Sequence, residues 1–197
     1  MTAIYERLRA LQINLPELPP LVDGYVPSFV PFVRAGNLIY LSGRLAKKDG
    51  KPFSGKLGQQ ITTAEGRQAA PDVAIEILAT LQAALGDLNK VKRIVKMTVL
   101  VNSAPGFTES HQVADGASEL LREVFGEGGA HARTSHGGAE IPFGSCVEIE
   151  MIVEVSHSDS EFQEEHHESA CIQSRQSGSC WQTCQLHVHR GCRRAFV

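Results

Sequence analysis

The chain has 197 residues, with 19 Lys and Arg against 22 Asp and Glu for a formal net charge of −3, and only 6% of it is aromatic. That length suits one domain with a real core, and the charge balance leaves no overall basic surface to argue for nucleic acid. No apolar run approaches a membrane span, and Tyr5-Glu6-Arg7-Leu8-Arg9 is too polar for a signal peptide, so a soluble, cytoplasmic protein is expected.

Ile4, Leu8 and Leu11 recur at helical spacing and predict a short amphipathic helix before the proline-rich stretch from Pro16 to Pro20. Phe29 to Arg34 and Leu38 to Ser42 are β-rich runs separated by Ala35-Gly36-Asn37, which reads as a hairpin. Gly43 to Gln60 reads as a long loop, and its Lys47, Lys48, Lys51 and Lys56 are expected to be solvated. Thr62 and Glu65 stand at capping-box spacing and open a helix that runs to Leu85 and stops at Gly86. Ile75, Leu78, Leu81 and Leu85 are its expected buried stripe. Pro71 inside that helix predicts a kink near Ala70 or a separate first turn, because it removes a hydrogen bond at a cost of roughly 3 kcal/mol. Arg93 to Asn102 is a β-branched strand, and Phe107 to Phe125 reads as a second large helix ending at Gly126. Arg133 to Glu140 and Cys146 to Val155 follow as strands. The order β-β-α-β-α-β-β argues an α+β domain, 1–155, with helices on one face of a mixed sheet.

Past Val155 the composition breaks. Residues 156–197 hold four of the five cysteines and five of the eight histidines, with no surviving period of 2 or 3.6. Such a segment lacks the apolar surface to offset its ordering entropy, so a disordered or non-native tail is expected. Cys180, Cys184, His187 and His189 invite a zinc reading, but their spacing is not that of a common finger.

The richest chemistry lies just before that break. From Val147 to Val155 the chain alternates, with Glu148, Glu150 and Glu154 on one face and Val147, Ile149, Met151, Val153 and Val155 on the other. The Pro142–Ser145 turn would let the Arg133 and Glu148 segments pair as neighbouring antiparallel strands, bringing a guanidinium and carboxylates to one end of a sheet. An Arg fork grips a small carboxylate in two-point geometry; the plainer alternative is the solvated face of an edge hairpin.

Several segments resemble one family in order and spacing: Gly36-Asn37-Leu38-Ile39-Tyr40-Leu41-Ser42-Gly43, Ala84-Leu85-Gly86-Asp87-Leu88, Val101-Asn102 before Pro105-Gly106-Phe107, Ala132-Arg133, Glu140-Ile141-Pro142 and Val147-Glu148-Ile149-Glu150. From about Ile4 to Val155 the chain is similar to the Rid family of reactive intermediate deaminases, also called the YjgF or endoribonuclease L-PSP family. It looks closest to a branch carrying the Ser103–Phe107 segment and an N-terminal helix. The resemblance implies a chorismate-mutase-like fold and a homotrimer with ligand sites between subunits. It also implies hydrolysis of 2-imino and enamine acids to 2-keto acids without metal or organic cofactor. By the same resemblance Arg133 matches the carboxylate-binding arginine, Glu148 the acid associated with the attacking water, and Gly43 a backbone lining of the cleft. Phe29 stands where better-known members carry a tyrosine, Arg44 where they carry a glutamine, and Ser135 where an Arg-Ser-Cys segment has its cysteine. Phe29 and Arg44 favour the rival of a non-catalytic module that binds a metabolite in the same cleft.

Other groups read as structural. His131 and His136 are expected as partly exposed strand-end residues, and Cys146 as a small core residue. Ser42, Ser103, Ser118 and Ser135 lack a nucleophile-elbow context, and Asp115 and Glu119 make a solvated helix face.

Overall fold

In the computed structural model of the protein, residues 3–16 and 24–156 are described. The expectations for the Cys/His-rich tail, and most of the proline-rich stretch, lie outside the described residues. Among those residues no helix is long and apolar enough to cross a membrane.

Helix α1 spans Ala3–Ala10, and strands β1 (Phe32–Ala35) and β2 (Leu38–Leu45) form the expected hairpin. What the sequence suggests as a loop after Gly43 continues β2 and then makes a small hairpin, β3 (Lys47–Lys48) and β4 (Lys51–Pro52). Helix α2 covers Thr63–Leu85, β5 covers Val91–Asn102, α3 covers Ser110–Phe125, β6 covers Ala132–Gly138 and β7 covers Val147–Val155. The capping box forms as spaced: Thr62 Oγ1 accepts from the Glu65 N–H while Glu65 accepts from the Thr62 N–H. Gly86 ends α2 at φ 71°, a left-handed conformation that only glycine takes without strain.

Two local expectations are corrected. Helix α2 is a single unbroken element, so Pro71 does not set off a separate first turn. The carbonyl that Pro71 cannot satisfy belongs to Arg67, four residues earlier, and Gly116 of α3 packs directly on it. A Cβ at Gly116 would lie 3.2 Å from the Arg67 carbonyl carbon and nearer still to its oxygen. Close helix packing with Cα–H···O contact thus covers the group that proline leaves open. The buried stripe is also shifted: Ile77 is fully buried where Ile75 is only half-buried, because Val73, Ala74, Ile77, Leu78 and Leu81 share the face toward the sheet.

The five-stranded sheet has the order β1-β2-β7-β5-β6. β7 is antiparallel to both β2 and β5, while β6 runs parallel to β5. This is the mixed α+β sheet that the element order implied. The expected pairing of the Arg133 and Glu148 strands is overturned, because β5 lies between them. β5, α3 and β6 form a parallel strand-helix-strand unit, so β6 takes the outer edge of β5 and β7 must cross to its inner edge. The crossing loop is tied to the end of β5: the Asn102 N–H donates to the Cys146 carbonyl at 2.9 Å, and Asn102 Nδ2 to the Gly144 carbonyl at 3.2 Å. Phe143, at φ 58°, and Gly144, at φ 66°, provide the left-handed turn there.

Helices α2 and α3 cover one face of the sheet. Ile39, Leu41, Met97, Val99, Ile149, Met151 and Val153 are buried beneath them. On the other face the β7 glutamates alternate as the sequence pattern required, beside the exposed Tyr40 and the half-buried Leu100 and Ile152.

Candidate functional site

Sheet register settles where each sequence-predicted residue points. Arg133 stands opposite Met97, which stands opposite Met151, so all three face the helices. Glu148 stands opposite Leu100, which stands opposite His136, so these share the open face. Arg133 and Glu148 are therefore on opposite faces of the sheet, two strand positions apart and three residues out of step. With strands ~4.8 Å apart and a rise of ~3.3 Å per residue, their Cα atoms are separated by on the order of 14 Å. The structure separates the candidate residues into two groups, each a candidate half-site, rather than one.

The first half-site is built around Gly43. A β-bulge sets Ser42 and Gly43 between the Leu41–Met151 and Arg44–Ile149 pairs of β2 and β7. The segment holding Phe29 runs beside this bulge: Ser42 Oγ donates to the Val30 carbonyl at 2.8 Å and the Ser42 N–H to the Pro31 carbonyl at 3.0 Å. Phe29 itself is exposed. A Cβ on Gly43 would fall 2.9 Å from Cδ of Glu148 and closer to Oε1, so the glycine makes the space that the carboxylate occupies. Burial, and secondarily the Glu150 charge, hold the Glu148 carboxyl above its ordinary pKa. Glu154, on the same face of the same strand, takes hydrogen bonds from Arg93 Nε at 2.9 Å and Asn37 Nδ2 at 3.2 Å. Glu148 has no such partner among the described residues.

Arg44 does not join this half-site. The bulge turns it to the helix face, where it is buried and its Nη2 donates to Thr80 Oγ1 at 3.1 Å. Its replacement of the family glutamine therefore says little about the chemistry near Glu148, contrary to its weight in the sequence reading.

The second half-site surrounds Arg133. Nη1 donates to Asp115 Oδ1 at 2.7 Å and to Ser118 Oγ at 3.0 Å, and Nη2 to the His111 carbonyl at 3.3 Å. These acceptors lie on α3, where Asp115 and Ser118 share a face at i, i+3 spacing. Ser118 Oγ also lies 3.1 Å from Nε2 of His131, whose Nδ1 is 2.7 Å from the Gly129 carbonyl. Nδ1 donates to that carbonyl, which leaves the Nε2 lone pair to accept the Ser118 hydroxyl hydrogen. Burial, and less strongly the Arg133 and Arg122 charges, keep His131 below its ordinary pKa. Ser135, opposite Val99, lies on the same face as Arg133. An arginine has five N–H donors, and the Nε donor and one on Nη2 remain without a partner among the described residues.

Asp115, Ser118 and His131 are therefore more than a solvated helix face, a bystander serine and a strand-end histidine. The strand-helix-strand unit places α3 over the start of β6, and its i, i+3 polar pair meets the arginine there. That pair, followed by a second strand, was the signal in the sequence. Cys146 is a fully buried core residue, its thiol pushed up to about 11 by burial.

Comparison with known proteins now bears on the whole domain. The model of the family described as "YjgF/chorismate mutase-like, putative endoribonuclease" matches residues 5–155. This chain belongs to the YjgF family. The YjgF domain is 44% identical over 152 residues to Protein TCP17 of Trypanosoma cruzi, spanning 76% of this chain and 92% of that protein. Among solved structures it is similar to Atu1372, a protein of unknown function from Agrobacterium tumefaciens. The identity is 41% and the TM-score 0.69, with 78% of this chain and 94% of that one covered. It also resembles a Shewanella oneidensis protein described as a "putative endoribonuclease", at 29% identity and TM-score 0.71, covering 78% of this chain and all of the other. The matches span the YjgF domain and both half-sites.

Proposed function

We propose that this YjgF protein binds small 2-imino or enamine acids and hydrolyses them to 2-keto acids and ammonia, in clefts between the subunits of a homotrimer. Arg133 holds the substrate carboxylate, Glu148 orients and deprotonates the water, and Gly43, Phe29 and Ser135 line the cleft. The observation that carries this reading is the separation of the two half-sites. A guanidinium with two donors to spare and a half-buried carboxylate, both without further partners among the described residues, stand on opposite faces of the sheet. A second copy can bring the Gly43–Glu148 side of its sheet to the Arg133 side of the first. The open face, with Tyr40 and Ile152, supplies apolar surface for that contact.

The chemistry follows from those groups. A raised carboxyl pKa suits an acid that takes a proton from water and returns it, a function worth about 10²–10⁴ in rate. The water oxygen bonds to C2 as the C=N π pair moves to nitrogen. The proton passes through Glu148 to that nitrogen, giving a carbinolamine; Glu148 then carries the carbinol O–H proton to the same nitrogen as C=O forms, the C–N bond breaks and ammonia departs. Held by its carboxylate at Arg133, the substrate offers C2 to a fixed water, so positioning supplies much of the gain.

The non-catalytic reading retains one support, the missing hydroxyl at Phe29. The ribonuclease activity named for some relatives is disfavoured by Glu148 and Glu150 on the open face, which would repel phosphates. Generating 2-iminopropanoate in situ with an amino-acid oxidase and following its loss tests the proposal. Faster loss with the protein supports hydrolysis, and an unchanged rate together with measurable 2-ketobutyrate binding would hand the site to the binding module.

A further inference from the structure

Arg133 has one end fixed and one edge free. Both Nη1 hydrogens are spent on α3, one on Asp115 Oδ1 at 2.7 Å and one on Ser118 Oγ at 3.0 Å. The donors without a partner among the described residues, on Nε and Nη2, lie on the opposite edge, which a carboxylate can grip at two points. That edge is presented only while the Nη1 end stays in place, since an arginine side chain otherwise has much rotamer freedom. A serine hydroxyl holds a guanidinium by turning a lone pair to it, so its own hydrogen needs another acceptor. In a helix that acceptor is commonly the carbonyl one turn back, as it is for Thr80, whose Oγ1 donates to the Glu76 carbonyl at 2.9 Å. Ser118 has instead His131 Nε2 at 3.1 Å. The Gly129 carbonyl, 2.7 Å from Nδ1, can only accept, so Nδ1 carries the ring hydrogen and Nε2 offers a lone pair. Burial and the charges of Arg133 and Arg122 favour the neutral ring, which keeps that lone pair available. Hydrogen bonds thus run one way, from Arg133 to Ser118 to His131 to a backbone carbonyl.

We infer that Ser118 and His131 are positioning residues for the carboxylate-binding arginine. His131 commits the Ser118 hydrogen, and Ser118 commits the Nη1 end of Arg133, so that the Nε–Nη2 edge is offered to ligand. Both act through Arg133 and not on the ligand. The inference rests on the carboxylate site proposed above and names what sets that site's geometry.

Calorimetry with 2-ketobutyrate on the full-length chain, at about pH 8 where His131 is neutral, tests this. The variants are Ser118→Thr, Ser118→Val, Ser118→Ala, His131→Gln and His131→Leu. Threonine and valine share a shape and differ by the hydroxyl, so a contrast between them is not a matter of volume. Ser118→Thr should bind close to wild type, with Ser118→Val and Ser118→Ala about tenfold weaker, the scale of one hydrogen bond to a charged group. His131→Leu should cost less, because the Ser118 hydrogen can then fall back on a helix carbonyl. His131→Gln should recover most of that loss, since its side-chain carbonyl can take the place of Nε2. In the Ser118→Val background His131→Leu should add nothing, because its route to the arginine is already gone. Equal affinity of Ser118→Thr and Ser118→Val, or wild-type affinity in Ser118→Ala, overturns the role of Ser118. Fully additive losses for Ser118→Val and His131→Leu overturn that of His131. Either result leaves the carboxylate site standing where Arg133→Ala still loses 2-ketobutyrate. Failure of wild type to bind 2-ketobutyrate removes the carboxylate site and this inference together.

Discussion

Gly43→Ala is the most telling perturbation of the Glu148 half-site. The new methyl carbon would sit 2.9 Å from Glu148 Cδ and nearer to Oε1, where no carbon is tolerated. Carbon atoms in contact prefer about 3.5–4.0 Å, so the carboxylate must retreat by roughly 1 Å. Gly43 is not among the glycines with left-handed φ, so alanine costs no backbone strain there, and the atom it meets ends a flexible side chain. The stability cost should therefore fall at the low end of the overpacking range, about 1 kcal/mol. The catalytic cost should be much larger, since a displacement of about 1 Å in a positioned group can cost on the order of 10²-fold in rate. Thermal melts and the coupled imine assay should thus separate, with a small drop in Tm and a large drop in kcat. A double-mutant cycle with Glu148→Gln sharpens the point. If Gly43 acts through Glu148, the pair should be no slower than Glu148→Gln alone. Wild-type turnover in Gly43→Ala, or fully additive losses in the pair, would refute the reasoning.

Four other outcomes follow from the same geometry. Arg133→Ala should keep the fold and weaken 2-ketobutyrate binding by about 2–5 kcal/mol, with lysine a poor substitute; equal affinity by calorimetry would exclude the arginine from the site. Glu148→Gln should lower kcat with little change in ligand affinity, and should raise Tm at neutral pH, since a carboxyl held above its ordinary pKa destabilises the fold once ionised. His131 is held below its ordinary value of 6.5, so the unfolded chain binds the extra proton first. Stability should therefore fall as pH drops through and below about 6.5, and urea titrations of His131→Asn should show that slope flattened. Gly116→Ala should destabilise by about 1–3 kcal/mol, because the nearest atom its methyl meets is the Arg67 backbone oxygen, which cannot swing away as the end of a side chain can; an unchanged denaturation midpoint would show that the helices can part without cost.

Local order was legible before any coordinates. The Thr62–Glu65 box, the Gly86 stop, the Gly36 hairpin turn and the alternation from Val147 to Val155 each depend on residues a few positions apart, and all form as spaced. Family membership was legible for a related reason, since it lives in short segments in a fixed order. Pro71 sets off no separate first turn, and the carbonyl it leaves open is covered by Gly116, forty-five residues away. The site divides along the same line. Arg133, Glu148, Gly43, Phe29 and Ser135 could be named as candidates, but whether they meet could not be read. Periodicity tells which face of its own strand a side chain takes, and carries nothing about which strands become neighbours. That choice was made by the edges of β5, one taken by β6 and the other by β7. It put Arg133 under α3 beside Asp115 and Glu148 on the face away from α2 and α3. Strand order arises from competition among distant edges for the same hydrogen bonds, and only the folded chain resolves it.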